Sequence, residues 1–179
     1  MVKRLKEFFH RLWSRVGLTR ALFGGELAIA SAALSAVVYR ADGRVEDLGI
    51  ICRKKVVGAF VTDIVANLVT HAATFQAYKY HETGIGTTAE ANTQTALVNT
   101  TGVPARVAGT QVQGGTATAP TYTSVATVSY TSSLAITEHG VFNASTSGTL
   151  LDRSLFSAIN VTNGDSIQFT YVLTINAEA

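Results

Sequence analysis

The chain has one cysteine, one methionine, one tryptophan and two prolines in 179 residues. A lone thiol, Cys52, excludes an intramolecular disulfide framework and a cysteine-based zinc site. Charged residues make up only 15%, against a norm of about 25%. Such a chain is not of the charge-rich disordered kind. No collagen-like or heptad repeat is present, and no exact internal repeat. The uncharged, mostly apolar stretch Leu27 to Val38 covers about 12 residues, short of the roughly 20 that span a bilayer. What the chain does have is 47% apolar residues, enough for one buried core. Its second half is rich in Thr, Ala, Val, Gly and Ser, which points to a β-rich body.

The net charge of +2 hides a split. Residues 1–20 carry Lys3, Arg4, Lys6, Arg11, Arg15 and Arg20 against Glu7, while the remainder carries an acidic excess. The basic character belongs to an arm and not to the body, so a globally basic nucleic-acid-binding surface is not expected. Within the arm, Val2, Leu5, Phe9, Leu12 and Val16 recur at helical spacing, and Phe8 and Trp13 widen the stripe. A helix this short needs a surface to pack on. That surface could be a protein, an anionic membrane or nucleic-acid phosphates. The paired aromatics favour protein, either this chain's own body, a sister subunit or a partner. Leu5, Phe8, Phe9, Leu12, Trp13 and Val16 are therefore the candidate partner-binding residues, with phosphate contact the lesser alternative and no membrane expected. A secretory signal is a poor fit, because the basic region is long and amphipathic and Glu26 with Gly24-Gly25 interrupts the apolar part.

Beyond the arm, residues 21–179 read as a single β-rich domain. Leu34 to Arg40 predicts a strand, Asp42-Gly43 a turn, and Val45 to Arg53 the returning strand. Val57, Phe60, Val61, Ile64, Val65, Leu68 and Ala72 fall on one helical face, so the one internal helix is expected over residues 56–72, packed on a sheet. Phe75 to His81 reads as extended. From 83 to 151 the charged residues are Glu90, Arg106 and Glu138, and segments of period two recur. Strands are expected over 121–130, Leu134 to Asn143, Thr149 to Ile159 and, after the Asn163-Gly164-Asp165 turn, along Ile167, Phe169, Tyr171, Leu173 and Ile175. The Gly109–Pro120 region, with Gly114-Gly115, reads as an exposed loop. The fold class that follows is mainly β: an antiparallel sandwich or barrel-like body with one internal helix and an N-terminal amphipathic helical arm.

Motifs for chemistry are sparse. Gly84-Ile85-Gly86-Thr87-Thr88-Ala89 matches a dinucleotide fingerprint by letter, but no helix follows and no acidic residue lies about 20 positions on. It reads as a glycine-permitted connection, and no cofactor is expected. His81-Glu82 and Glu138-His139 are adjacent pairs, and strand neighbours point to opposite faces, so neither pair is a ready metal site. His10 and His71 stand apart from both. Asp152-Arg153 reads as a local charge pair or turn, and Cys52, inside an apolar run, as a buried thiol. No nucleophile elbow is present, and no acid, base and nucleophile constellation marks an enzyme. Three glycosylation sequons, at Asn99, Asn143 and Asn160, are the chance yield of a Thr-rich chain.

Several segments do carry a family likeness: Arg40-Ala41-Asp42-Gly43-Arg44-Val45-Glu46-Asp47-Leu48-Gly49, Tyr80 to Ala91 with Thr95-Ala96-Leu97-Val98, Ile136 to Ser145, Gly148 to Arg153, and Val161 to Tyr171. Together, over about residues 34–176, the chain resembles a family of small structural proteins of tailed bacteriophages. The resemblance implies a virion component made in a bacterial cytoplasm, a capsid cement or decoration protein whose partners are the major capsid protein and copies of itself. It supplies no catalytic residues. Two alternatives stay open: a tail, neck or fibre-attachment component, and a receptor- or glycan-binding sandwich that uses the Gly109–Pro120 region with Tyr122 or Tyr130.

Overall fold

The structure, a computed structural model, describes residues 30–54, 56–70 and 77–175. The arm residues Leu5, Phe8, Phe9, Leu12, Trp13 and Val16, together with His10 and His71, lie outside the described residues.

Among the described residues nine strands and one helix follow in chain order. They are β1 (Ala30–Tyr39), β2 (Val45–Lys54), α1 (Gly58–Thr70), β3 (Tyr80–Gly84), β4 (Val107–Ala108), β5 (Thr110–Gly115), β6 (Pro120–Ser129), β7 (Leu134–Phe142), β8 (Leu150–Val161) and β9 (Ser166–Ile175). They form a five-stranded sheet in the order β2-β1-β9-β6-β5 and a four-stranded sheet in the order β4-β3-β7-β8. Every pairing is antiparallel. The expected mainly-β architecture of antiparallel sheets with one internal helix is present.

Period-two alternation decides which way each strand faces. On β1, Ala32, Leu34, Ala36 and Val38 are buried; on β9, Ile167, Phe169, Tyr171 and Leu173 are buried. The two sets pair across the strands, Leu34 with Tyr171 and Ala36 with Phe169. They face Ile136, Val141 and Ile159 of the other sheet in one apolar core. Each of the larger aliphatic and Phe side chains contributes roughly 1.5–3 kcal/mol when fully buried. Cys52 is buried in this core, as its apolar surroundings suggest. The helix docks through Phe60, edge-on to Tyr78 at 5.0 Å, and Val57 is buried just before its first turn.

The two turns at one end are tied together. Asp165 Oδ1 accepts from Ala41 N–H (2.8 Å), and Asp165 Oδ2 accepts from Arg40 Nη1 (3.1 Å) and Thr162 N–H (2.9 Å). Those N–H groups, with the Arg40 guanidinium, hold the Asp165 carboxyl down to about 2.

Two expectations need correction. The Gly109–Pro120 region is exposed but is not a loop: it is a hairpin arm, β5 turning into β6 in continuous register from Thr110 with Val125 to Gly115 with Pro120. Its residues carry too little apolar alternation to announce a strand, and cross-strand pairing with β6 supplies the order instead. Asp152-Arg153 is neither a local pair nor a turn. Both lie within β8, near its start, so they point to opposite faces, and Arg153 finds its partner in Glu138 on the neighbouring strand.

Candidate functional site

Two clusters of polar side chains stand out, one on each face of the four-stranded sheet. The first lies on the face turned away from the core, where β7 presents Glu138 and β8 presents Arg153. Their side chains are fully buried and meet at 2.6 Å. The 85–105 segment folds over them. Glu138 accepts from the N–H groups of Gly86 (3.0 Å), Val98 (3.1 Å) and Asn99 (2.8 Å). Arg153 Nη1 donates to Thr88 O (3.0 Å) and Gln94 Oε1 (3.2 Å). Burial alone would raise the Glu138 carboxyl, but the backbone donors and the guanidinium outweigh it and hold it below the ordinary range. Here the glycines of the false dinucleotide fingerprint have their reason. A Cβ on Gly84 would sit 2.7 Å from Asn99 O, and one on Gly86 would overlap the Glu138 carboxylate. The motif is a close backbone approach to a carboxylate, not a phosphate cradle.

Beside this cluster, Arg106 pairs with Glu82 (3.0 Å), donates to Ala144 O (3.1 Å) and lies 3.4 Å over the Phe142 ring. Both glutamates of the His-Glu pairs are therefore consumed by arginines on the outer side of the sheet.

The second cluster lies between the sheets. β3 and β7 pair Thr83 with His139 and His81 with Val141, which puts both histidines on the inner face. His81 Nδ1 is 2.9 Å from His139 Nε2, and His81 Nε2 is 2.8 Å from Ser124 Oγ on β6 of the opposite sheet. All three residues are buried. The His139 ring also packs on Phe169, centroids 4.6 Å apart. Burial lowers His81 to about 4, and burial with the neighbouring His81 charge lowers His139 as well. Asp152 and Ser154 of β8 extend the polar strip. Burial first, and the Asp152 charge second, raise the Tyr171 hydroxyl.

Sequence reasoning missed this juxtaposition. Ser124, His81 and His139 have the order of nucleophile, base and orienting group used in acyl transfer. Chemistry would require a substrate carbonyl at Ser124 Oγ. That atom is enclosed, and Gly109 sits against it so closely that a Cβ there would lie 2.7 Å from Ser124 Oγ and 2.9 Å from His81 Nε2. In this arrangement the row does mechanical work: it hydrogen-bonds one sheet to the other. Among the described residues no group of three or more His, Cys, Asp or Glu could hold a metal ion. Nor does any described helix have the length and apolarity to cross a membrane.

The open surface is the outer face of the five-stranded sheet. Facing outward are Ser35 and Val37 on β1, Thr170 and Val172 on β9, Thr123 and Val125 on β6, Val112 on β5, and Val45 and Ile50 on β2. Charged residues appear on this face only on β2, as Asp47 and Arg53. Tyr122 and Tyr130, the aromatics considered for glycan stacking, are not there. Tyr130 is buried, and Tyr122 donates to Tyr78 O. No family model, no curated protein and no solved structure matches the chain.

Proposed function

We propose that this chain is a structural protein of a tailed-bacteriophage virion that binds and stabilises the capsid shell, with its basic N-terminal arm docking on neighbouring subunits. The observation that carries the reading is the outer face of the five-stranded sheet. Strands of about ten residues at standard spacings make it about 24 Å by 30 Å, roughly 700 Å². One partner of a standard-size interface contributes about 800 Å². The face mixes Thr and Ser with Val and is uncharged outside β2. Such a surface packs on another protein without burying an unpaired charge. The rigid two-sheet body behind it, laced by Glu138–Arg153 and His81–Ser124, suits a part that must hold shape under load. The arm adds aromatic anchors, and repetition on a lattice multiplies weak contacts into avidity.

The test is addition of the full chain to assembled shells that lack it, followed by cryo-EM and co-sedimentation. Density repeated over the shell is expected. Density at one vertex or along the tail would move the chain to the neck or tail, and absence from the particle would overturn the reading. Val172→Lys, which puts a charge at a half-buried position in the middle of the face, is expected to weaken shell binding, with circular dichroism and the melting temperature checking that the variant remains folded.

A further inference from the structure

An antiparallel sheet has two edges, and each edge presents unpaired N–H and C=O groups to whatever strand arrives. This molecule has four edges: β2 and β5 on one sheet, β4 and β8 on the other. Three of them are blocked, each by a different device. β2 carries two register shifts against β1 and has Gly49 in the left-handed region at φ 61°. It also bears Glu46, Asp47, Arg53 and Lys54. β4 is two residues long. β8 is capped along its length: Leu151 O accepts from Val57 N–H (3.1 Å), Leu155 N–H donates to Glu90 Oε1, and Asn160 O accepts from Arg40 Nη1 (2.6 Å).

Among the described residues β5 lacks the charges, register shifts and caps of the other edges, and its one left-handed residue, Gly115 at φ 82°, stands at the hairpin end. Its six residues, Thr110–Gly115, are all exposed. They contain no charge and no proline, and they pair with β6 without a register shift. Alternate residues of such a strand direct their backbone groups away from β6. The far end of the hairpin is pinned by reciprocal bonds between Thr116 and Ala119, each 3.2 Å. On the core side Gln111 Nε2 donates to Tyr122 OH at 2.6 Å. Among the described residues the edge is thus unpaired, and its hairpin end is pinned.

We infer that β5 is a docking strand for β5 of a second copy of this chain, joining two five-stranded sheets into one continuous antiparallel sheet about a two-fold axis. The occupant follows from the chemistry of the edge. An uncharged strand offers a charged partner nothing to pair with, whereas two identical uncharged strands meet with no like-charge penalty, which is the condition for isologous pairing. Antiparallel pairing of two copies also keeps both outer faces on the same side of the joined sheet, so the face proposed to meet a shell doubles without interruption. The inference specifies the self-contact of that role but is tested on the free chain, so its failure and the failure of shell binding are separate results.

The experiment is sedimentation equilibrium of the full chain up to about 1 mM, a range that reaches weak association, with amide hydrogen exchange read at low and high concentration. The wild type is expected to show a monomer–dimer equilibrium, with protection of residues 110–115 rising with concentration. Val112→Lys and Val112→Glu, both at an exposed position, are each expected to weaken the dimer tenfold or more through like-charge contact, and an equimolar mixture of the two to recover it. Circular dichroism checks that both variants remain folded. A wild type that stays monomeric throughout overturns the inference. So does a dimer that both variants form as readily as wild type, or one whose formation leaves exchange at 110–115 unchanged.

Discussion

Acid should weaken this fold earlier than its carboxylates can explain, because of the two buried histidines. An unfolded histidine takes up a proton near pH 6.5, whereas His81 in the folded chain does so only near 4. The unfolded state therefore binds more protons between those values, and stability present above about pH 6.5 is lost as pH falls towards 4. His81 alone accounts for about 2 kcal/mol between pH 7 and 5. His139 is also held neutral, by burial above all, and steepens the same slope. For a chain of this size about 2 kcal/mol is roughly 4–8 °C in melting temperature. Most of this precedes the carboxylates: Glu138 and Asp165 are both lowered in the fold, so their stabilising contribution is lost only as pH falls below the ordinary carboxylate range. The assay is urea unfolding at pH 8, 7, 6 and 5, paired with NMR titration of the imidazole resonances, assigned by substitution among the four histidines. Two resonances are expected to remain neutral at pH 5.5. Stability that is flat from pH 8 to 5, or four histidines that all titrate near 6.5, would refute the reasoning.

Three further outcomes follow from the same geometry. Glu138→Gln leaves the Arg153 guanidinium buried without its counter-charge, and chemical denaturation is expected to show a loss of about 3–5 kcal/mol. Gly109→Ala drives a methyl against Ser124 Oγ, His81 Nε2 and Val125 O; a cost of about 1–3 kcal/mol is expected, and a neutral result would mean that the two sheets separate easily here. Removal of residues 1–16 is expected to leave the melting temperature unchanged while abolishing co-sedimentation with shells; a lowered melting temperature would place the arm on its own body.

The strands were legible where one face is apolar and the other is not. Ile167, Phe169, Tyr171 and Leu173 announce β9, and the Asp42-Gly43 turn announces the β1–β2 hairpin; both formed as their patterns predict. The helix began two residues later than residue 56, because Val56 and Val57 serve the sheet, with Val57 N–H bonded to Leu151 O. β5 was not legible, since Thr, Gln and Gly suit a loop equally well and the pairing that orders them lies on another strand. The histidine contact was illegible for a related reason. His81 and His139 are 58 positions apart, and only the β3–β7 register brings them together. A signal did exist in two His-Glu neighbours set in a stretch almost free of charge: strand alternation sends one member of each pair inward and the other outward. The arm residues Leu5 to Val16 remain a matter of their periodicity alone.

That alternation also explains why a body built from Thr, Val, Ala and Ser adopts one register. Threonine costs little on either face of a strand, so a one-residue slip in such a sequence carries a weak penalty, and register is poorly specified where both faces are alike. The polar clusters remove this ambiguity. If β3 slipped by one residue, His81 and Thr83 would leave the inner face and Glu82 would enter it, separated from Arg106. If β8 slipped, Arg153 would leave Glu138 for the interior beside Phe169, and Glu138 would keep its buried position with its counter-charge gone. Each slip strands a charge in a site without a partner, at several kcal/mol. The buried ion pairs and the histidine contact thus fix how the strands align, and the faces left free by that alignment are the ones that can meet another protein.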